Sequence, residues 1–531
     1  MPELLLQAHG LAYQIPGQPQ PLFENASLAL HQSEKVALVG RNGAGKTTLL
    51  EVLLGKRQPT AGQLTHRPSD LAYLPQDEPW DDAGTVRQSL LEPWPDLARL
   101  HAGMMRMEAA GLPDPLQYAE RVAAFHAQGG YEQLAQAEKT LAAFGLAATL
   151  ERPLAALSGG ERRLLRLASV TAAAAGLTLL DEPTNYLDAV ATERLIAAIC
   201  ASDRAFVIVS HDRWFLDQTV GRILELERGG LESYHGTYST FSATKAAIRR
   251  HKQRQKDKLE TEIGKLQEME RSYKVWGARK EAEKSGAADK GFVGARAARL
   301  AKRGILAKER LRHRADELRD TRPWVERDYE IAFEPVTTPN GTCLAVRGLH
   351  YAPDAQPLLT DLSFQLDWGE KIAITGPNAA GKSTLLRLLL GELAPDAGQI
   401  LRSKGIRLGM LPQQWNPALD ARTPASLYPR EQHPRAQTLL GCLRVPGDTL
   451  QQPLRQLSEG QKRKTLLVQL ILAAPNLLIL DEPTTHLDYR SVEMLEQALT
   501  RYQGTLLLVS HDRYLRERVT RRKIELAPGR D

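Results

Sequence analysis

The chain has 531 residues, 42% of them hydrophobic and 25% charged, a balance that predicts a folded protein of two to four domains and excludes a disordered or collagen-like chain. Its three cysteines (Cys200, Cys343 and Cys442) form no CxxC pair, which argues against a disulfide scaffold or a cysteine-ligated metal. The net charge is +6, but residues 245–322 hold 24 Lys+Arg and 12 Asp+Glu whereas the remainder holds 45 and 51, so this segment is predicted to meet a polyanion.

The N-terminal part contains an apolar run, a glycine-rich loop and a helix-forming stretch in that order. Residues 40–47 match the pattern GxxxxGK[ST] between the strand-like run Val36–Val39 and the helix-like stretch Thr47–Leu54, as a phosphate-binding loop requires. Glycines let successive backbone N–H groups surround phosphate oxygens, and the helix adds its positive end. We therefore expect Lys46 to contact the terminal phosphates of a nucleotide and Thr47 to ligate Mg²⁺.

Acidic pairs follow further along, and the whole order of features occurs twice. The glycine-rich loop recurs at 376–383, and two apolar runs end in Asp181-Glu182 and Asp481-Glu482. Carboxylates at the carboxyl end of a strand lie where open α/β sheets bind their ligands. We expect the first of each pair to hold Mg²⁺ and the second to activate water as a general base. The alternative is a strand that is followed by an acidic first turn of a helix. This would explain a single Asp-Glu pair, but it explains the two pairs less well.

Two segments interrupt the repeat. The first copy carries 37 additional residues within 77–157, and a polar, basic, helix-prone segment over 241–326 separates the copies. Apolar residues at three- and four-residue steps near both ends of that segment, with glycines between, favour an antiparallel helical hairpin with an irregular tip, and a solvated linker helix is the alternative. We predict a first α/β domain over 1–240, the linker over 241–326 and a second α/β domain over 327–531.

Taken together, the motifs resemble those of ATP-binding cassette proteins, and the resemblance covers essentially the whole chain outside the linker. It implies two P-loop cassette domains in tandem that hydrolyse ATP with Mg²⁺. The family landmarks in each copy are a Q-loop (Gln76, Gln413), a signature (Leu157–Glu161, Leu457–Gln461), a D-loop (Asp188, Asp488) and a histidine switch (Ser210–Asp212, Ser510–Asp512).

The resemblance assigns site residues position by position. The catalytic residues it implies are Glu182, Glu482, His211 and His511, the histidines contacting the γ-phosphate. The Mg²⁺ ligands it implies are Thr47, Gln76, Asp181, Ser383, Gln413 and Asp481. The implied ATP-binding residues are Tyr13, Gly40, Arg41, Asn42, Gly43, Ala44, Gly45, Lys46, Thr47, Thr48, Gln76, Ser158, Gly159, Gly160 and Glu161 in the first copy, and Tyr351, Gly376, Pro377, Asn378, Ala379, Ala380, Gly381, Lys382, Ser383, Thr384, Gln413, Ser458, Glu459, Gly460 and Gln461 in the second.

In this family two cassettes meet head to tail, so each ATP lies between one phosphate loop and the opposite signature. Site one would combine Lys46, Asp181 and Glu182 with Ser458–Gln461, and site two would combine Lys382, Asp481 and Glu482 with Ser158–Glu161. Each site contains one departure from the family pattern. Glu459 replaces a signature glycine, and we expect its carboxylate to weaken site one. Ala379 replaces the glycine that corresponds to Gly43, which costs about 1 kcal/mol if the position needs a positive φ.

The amino-acid sequences of several motifs resemble those of one branch of the ATP-binding cassette proteins, the ABC-F family. The matching stretches are Asp181–Asp188, Asp481–Asp488, Ser210–Asp217 and Tyr234–Phe241, with mild departures at Tyr186 and Thr485. ABC-F members bind the ribosome near the exit tRNA site, where the linker reaches toward the peptidyl-site tRNA and the peptidyl-transferase centre, and they either regulate translation or displace antibiotics. The resemblance therefore implies a cytoplasmic monomer with an intramolecular cassette dimer, whose partners are large-subunit ribosomal RNA and peptidyl-site tRNA and which uses no membrane.

The linker supplies the candidate RNA contacts. Its basic residues can neutralise phosphates, and its two aromatic residues either stack on bases or pack the hairpin end. The candidates are Lys274, Trp276, Arg279, Lys280, Lys284, Lys290, Phe292, Arg296, Arg299, Lys302 and Arg303. The insertion within 77–157 either contacts the ribosome or enlarges a helical subdomain.

Other functions stay open at this point. An ATPase subunit of a membrane transporter would give no reason for the basic linker. A DNA-associated ATPase would be expected to carry a C-terminal coiled coil, and only about twenty residues follow His511. The choice between antibiotic protection and control of translation also stays open.

Overall fold

The computed structural model describes residues 3–66, 71–76, 84–111, 114–173, 175–185, 187–227, 230–284, 306–307, 309–319, 321, 330–353 and 356–527, with the backbone alone at 66, 270 and 273–284. The chain divides into one unit formed by Met1–Ser239 with Tyr329–Asp531 and a second formed by Thr240–Asp328. The first unit contains two α/β domains, called domain one (residues 3–239) and domain two (residues 330–527) below. Over the described residues, no helix combines the length and the apolar character needed to cross a membrane.

Domain one is built on two sheets. An antiparallel sheet has the order β2-β1-β4, and a larger sheet has the order β5-β6-β7-β3-β8-β9, parallel except for the β8-β9 pair. The strands are β1 (Leu4–Tyr13), β2 (Phe23–His31), β3 (Lys35–Gly40), β4 (Ala61–His66), β5 (Leu71–Leu74), β6 (Leu177–Asp181), β7 (Ala205–Val209), β8 (Arg222–Glu227) and β9 (Gly230–His235). The helices are α1 (Lys46–Leu53), α2 (Val86–Ser89), α3 (Pro95–Ala109), α4 (Pro115–Ala127), α5 (Gly130–Ala143), α6 (Gly159–Ala172), α7 (Ala189–Ala201) and α8 (Arg213–Thr219).

Domain two repeats this plan. Its antiparallel sheet has the order β11-β10-β13 and its parallel sheet the order β14-β15-β16-β12-β17. The strands are β10 (Thr342–Tyr351), β11 (Leu359–Asp367), β12 (Lys371–Thr375), β13 (Ala397–Arg402), β14 (Leu408–Leu411), β15 (Leu477–Asp481), β16 (Thr505–Val509) and β17 (Arg522–Glu525). The helices that follow the linker helix α9 (Tyr238–Lys284) are α10 (Lys382–Leu390), α11 (His433–Cys442), α12 (Glu459–Ala473), α13 (Tyr489–Arg501) and α14 (Arg513–Val519).

The predicted tandem α/β architecture is confirmed. Every residue of β6, β7, β15 and β16 is buried, as expected of parallel strands covered on both faces. The helix predicted over Thr47–Leu54 is α1, which begins one residue earlier, at Lys46, because Gly45 ends the loop in a left-handed conformation (φ 97°). The start of α6 is fixed by Ser158, whose side chain caps the helix.

The 37 additional residues of domain one are accommodated by helices. Where domain two has only α11 and short turns between Pro417 and Gln456, domain one has α3, α4 and α5. Phe125 is fully buried among them, with ring centroids 5.7 Å from His101 and 4.9 Å from Tyr131. The insertion therefore has its own small core.

The second unit contains most of α9 and a helical stretch over 309–319. Ile263, Ala315 and Leu318 are buried, so the apolar faces predicted near both ends of the linker are the faces that pack. Six of the candidate RNA contacts lie outside the described residues: Lys290, Phe292, Arg296, Arg299, Lys302 and Arg303.

Domains one and two meet through buried charged side chains. The Arg213 guanidinium lies 2.7 Å from Glu496 Oε2 and 3.2 Å from Asp512 Oδ2, and all three side chains are at most 10% exposed. The hydroxyl of Tyr489 donates to Glu225 Oε1 at 3.0 Å. Because charges are costly to bury without partners, these pairs hold the two domains in one arrangement.

Asp212 gives this interface a pH dependence. Burial and, less strongly, the charge of Asp512 raise its pKa to about 7, against the backbone hydrogen bond from Phe215 and the charge of Arg213. Since the folded-state pKa exceeds the ordinary value of 3.8, ionisation costs stability as pH rises from about 4 to about 7.

Asp212→Asn keeps a capping side chain and should raise the free energy of unfolding at pH 8, by no more than about 4 kcal/mol. Most of that gain should be gone at pH 5. Denaturant unfolding of both proteins at the two pH values checks this, and an equal gain at both would contradict it.

Candidate nucleotide sites

The two glycine-rich loops form similar cradles. Lys46 Nζ donates to the carbonyls of Gly40 and Arg41, both at 3.0 Å, and Lys382 Nζ donates to those of Gly376 and Pro377 at 2.8 and 2.7 Å. Each lysine is thereby folded over its own loop, at the amino end of α1 or α10. A Cβ on Gly45 would lie 2.9 Å from the Leu22 side chain, so this position requires glycine for space as well as for its positive φ.

Two of the three residues expected to ligate Mg²⁺ are in contact in each copy. Thr47 Oγ1 donates to Asp181 Oδ2 at 2.7 Å, and Ser383 Oγ donates to Asp481 Oδ2 at 3.0 Å. A hydroxyl and a carboxylate are hard oxygen ligands that suit Mg²⁺, which otherwise keeps water and phosphate oxygens. The donor set therefore fits an ion shared with nucleotide phosphates.

Gln76 and Gln413 follow the ends of β5 and β14, beside this pair of ligands. Their backbone carbonyls accept hydrogen bonds from Arg163 and Arg463, each at 3.3 Å. These contacts fix the backbone at both positions, and the role of the two side chains as Mg²⁺ ligands stays a prediction.

Each predicted general base lies against its histidine. His211 Nε2 is 3.3 Å from Glu182 Oε1, and its backbone N–H donates to Glu182 Oε2 at 3.3 Å. In the second copy His511 makes the same two contacts with Glu482 at 3.4 and 3.0 Å. Both glutamates have left-handed backbone conformations, with φ of 49° and 45°. Such strain in a non-glycine residue persists only where the surroundings enforce it, as at functional sites.

Burial sets the protonation of site one. It raises the pKa of Glu182 to about 8, although Lys46 opposes the shift. It lowers the pKa of His211 to about 3, with the charge of Lys46 acting in the same direction. Burial also lowers the pKa of Lys46, against the charges of Glu182, Asp181 and Asp488. His211 is thus a neutral imidazole at physiological pH, able to donate one hydrogen bond and accept another.

The structure brings parts of opposite domains to each loop. At loop one, Asn42 Nδ2 donates to the carbonyl of His486 at 3.0 Å, and a Cβ on Gly460 would lie 3.2 Å from the same Asn42 nitrogen. At loop two, the backbone N–H of Asn378 donates to Asp188 Oδ2 at 3.2 Å. Loop one therefore meets the signature of domain two, and loop two meets the D-loop of domain one.

The signature residues also cap their helices. Ser158 and Glu161 form a capping box at the start of α6, and Ser458 and Gln461 form one at the start of α12. Glu459 does not present an isolated charge, because Lys462 Nζ lies 2.8 Å from its carboxylate and 5.1 Å from the Trp415 ring centroid. This pairing reduces the repulsion that Glu459 would exert on a phosphate in site one.

Tyr13 and Tyr351 end equivalent strands, β1 and β10. The Tyr13 ring stacks on Phe23 with centroids 6.3 Å apart, and Phe23 approaches the Cβ position of Gly45 within 3.1 Å. The Tyr13 hydroxyl accepts from Arg57 at 3.0 Å. Tyr13 is therefore connected to loop one through a single aromatic ring.

Ala379 has a φ of 62°, in the left-handed region that Gly43 occupies at 78°. Ala379→Gly should relieve this strain and raise the free energy of unfolding by about 1 kcal/mol. The neighbouring change Ala380→Gly is the control, since φ is not positive at that position and the change should lower stability by about 0.5–1 kcal/mol. Denaturant unfolding of both variants tests the assignment. The same sign for both changes would contradict it.

Sequence analysis missed two buried arginines that organise the sites. Arg163 donates to the carbonyls of Pro75, Asp181 and Glu182, each at 2.8 Å. Arg463 donates to the carbonyls of Pro412, Asp481 and Glu482. Each guanidinium thus joins the Q-loop to the strand that carries the acidic pair. Their separation of 300 residues, the same as between the acidic pairs, was the available signal.

Comparison with known proteins agrees with this geometry. The profile of the family described as "ABC transporter" matches residues 23–185 and 359–485, and a second profile with the same description matches 224–289. The tylosin resistance ATP-binding protein TlrC of Streptomyces fradiae is 34% identical over 99% of this chain and 98% of its own length. The ribosome protection protein VmlR of Bacillus subtilis is 29% identical over 96% of this chain and 84% of its own. The solved structure of an RNase-L inhibitor has the same tandem fold, with a TM-score of 0.58, 17% identity and coverage of 98% of this chain and 90% of that one.

Proposed function

The chain belongs to the ABC-F family of ATP-binding cassette proteins and is an ATPase, and from this premise we propose that it binds the ribosome in the cytoplasm and protects it from antibiotics. The observation that carries the proposal is the similarity to TlrC, which extends over nearly the full length of both chains, the linker included. VmlR, named for ribosome protection, supports the same assignment.

In the proposed reaction, ATP binds between the phosphate loop of one domain and the signature of the other. Lys46 and Lys382 would neutralise terminal phosphates, while Thr47 with Asp181 and Ser383 with Asp481 would hold Mg²⁺, which supplies charge neutralisation to the phosphates. Glu182 and Glu482 would orient and deprotonate the attacking water, with the neutral His211 imidazole at the γ-phosphate of site one. Glu182 has a pKa of about 8 in the absence of a cation, and the charge of Mg²⁺ would favour the ionised carboxylate that this role needs. Because each site needs both domains, hydrolysis depends on their apposition and its products favour their separation.

We further propose that the linker contacts large-subunit ribosomal RNA and the peptidyl-site tRNA. The support is its charge, 24 Lys+Arg against 12 Asp+Glu over 245–322, and the length of α9, 47 residues. A helix rises 1.5 Å per residue, so α9 can extend about 70 Å. The described candidates Lys274, Arg279, Lys280 and Lys284 lie in its final turns.

These four residues give the linker proposal a quantitative test. Replacing all four by Gln should weaken ribosome binding and reduce the slope of log affinity against log salt by about 3–4, since each lost phosphate contact removes close to one unit. Replacing Lys252, Arg254, Lys256 and Lys258, in the first half of α9, by Gln removes the same charge as a control. Binding measured across a salt series compares the two. Equal slopes in both variants would contradict contact by the end of α9.

Antibiotic protection is tested by drug susceptibility. Cells that express the protein should tolerate higher concentrations of drugs that occupy the peptidyl-transferase centre or exit tunnel, tylosin included. A variant with Lys46→Ala and Lys382→Ala is the matched control, because it loses the terminal-phosphate contacts. Unchanged susceptibility to every such drug would reject protection and leave control of translation as the function to test.

A further inference from the structure

A basic cleft lies between the two domains beside site two. It has a volume of about 340 Å³ and takes residues from α7 of domain one and from α14 and β17 of domain two. His511 and Thr375 line it as well. Thr375 immediately precedes Gly376 of loop two, and His511 contacts Glu482 at 3.4 Å. The cleft is therefore continuous with the catalytic end of site two.

The wall from domain two is strongly cationic. Arg513, Arg516, Arg521, Arg522 and Lys523 line the cleft, against three carboxylates, those of Glu193, Asp212 and Glu517. Glu517 is already paired with Arg513 at 2.9 Å. Among the described residues, no ion pair involves Arg516 or Arg521, and Arg516 Nε is buried without a hydrogen-bond partner. Two cations of the wall are thus available to a ligand.

Comparison of the two copies of the repeat shows that three of these five cations have no cationic counterpart beside site one. Three hundred residues earlier, the positions of Arg516, Arg521 and Lys523 are occupied by Leu216, Gly221 and Ile223. The opposite wall differs too. Ala189 lines the cleft, whereas its counterpart Tyr489 is a buried side chain whose hydroxyl donates to Glu225. The space and the charge therefore occur together beside site two.

We propose that this cleft binds inorganic phosphate, the product of ATP hydrolysis in site two, with Arg516 and Arg521 as its charged partners. A volume of 340 Å³ accommodates a phosphate dianion with water, and guanidinium groups match phosphate oxygens in charge and geometry. The proposal adds no covalent step, because the ATPase reaction supplies the ion and the cleft holds it by charge and hydrogen bonds. Retention there would delay phosphate release from site two relative to site one.

Binding of added inorganic phosphate tests the proposal without hydrolysis or ribosomes, so its failure is separable from failure of the proposed function. Both nucleotide sites of the full chain are first filled with a non-hydrolysable ATP analogue, which occupies the γ-phosphate positions. Phosphate is then titrated and followed by ³¹P NMR. The Arg516→Leu, Arg521→Ala variant should bind phosphate roughly tenfold or more weakly. Lys404→Ala with Arg430→Ala removes two exposed cations outside the cleft as the control and should bind like the parent.

Several outcomes of these titrations would overturn the proposal that the cleft binds phosphate. Equal affinity in parent and cleft variant, or no binding by the parent at millimolar phosphate, overturns the proposal. A short single-stranded RNA titrated in parallel distinguishes the source of the phosphate group: loss of RNA affinity with phosphate affinity intact would make the cleft an RNA contact and also overturn it. If the double variant does not fold, Arg521→Ala alone, at an exposed position, should weaken phosphate binding roughly threefold, and no change overturns the assignment.

Discussion

Replacing both Glu182 and Glu482 by Gln is expected to slow ATP hydrolysis by at least about 100-fold while ATP binding is retained. The amide keeps the shape, and its oxygen can still accept the hydrogen bonds from the backbone N–H groups of His211 and His511, but it cannot accept a proton from water. Removing a group that acts in the transition state lowers kcat without weakening the ground state. Steady-state phosphate production and nucleotide binding measure the two effects separately.

The two single variants, Glu182→Gln and Glu482→Gln, measure how much each site contributes to ATP hydrolysis. Site two contains the strained Ala379 and the basic cleft, whereas site one contains the Glu459–Lys462 pair. We therefore expect unequal losses for Glu182→Gln and Glu482→Gln. Glu120→Gln, a change at an exposed glutamate of α4 that lies outside both sites and the cleft, serves as the charge-matched control and should hydrolyse ATP normally. Equal losses from the two single variants would count against asymmetric sites.

The second large effect is expected from one methyl group at the junction of the domains. In Gly460→Ala the new Cβ would lie 2.7 Å from the His486 carbonyl oxygen and 3.2 Å from Asn42. The first distance is shorter than real Cβ contacts, and it joins two backbone segments of domain two, so the signature and the His486 turn must shift relative to each other. Because the same His486 carbonyl accepts from Asn42 of loop one, the shift disturbs the junction of the domains. Alanine is a better helix former than glycine, so α12 itself should not be weakened. ATP turnover should fall about tenfold or more.

Gly159→Ala, at the counterpart of Glu459 one position before the equivalent of Gly460, is the control for that clash. It adds the same methyl group to the first signature, where no heavy atom lies within 4 Å of the Cβ position. Turnover should stay within about twofold of the parent, because nothing is displaced. Comparable losses from both variants would show that signature glycines are needed for backbone freedom and not for the contact with loop one.

Much of each site could be predicted because its information is local. The loops at 40–47 and 376–383 and the acidic pairs are consecutive residues whose order fixes strand, turn and helix. Because of the internal repeat, each motif occurs twice and the two copies can be compared. The conditional expectation for Ala379 was of this kind, since the corresponding Gly43 identified the conformation to test, and both residues have a positive φ.

What could not be predicted depends on pairings between distant residues. Arg213 and Glu496 are separated by 283 residues, and although Arg213 lies in the motif stretch Ser210–Asp217, Glu496 belongs to no motif. Arg163 and Arg463 act on backbone carbonyls, which any sequence provides. The charge of Glu459 was expected to act on site one because the partner, Lys462, shares its helix face only once α12 begins at Glu459. The cleft became visible only when Ala189 and Tyr489 could be compared in space.

Co-sedimentation with ribosomes tests the central claim, that nucleotide-driven apposition of the two domains controls ribosome binding. The Glu182→Gln, Glu482→Gln variant should pellet with ribosomes in ATP and stay largely in the supernatant in ADP, at the same salt concentration. Absence from the ribosome pellet in ATP, even at low ionic strength, would contradict the account.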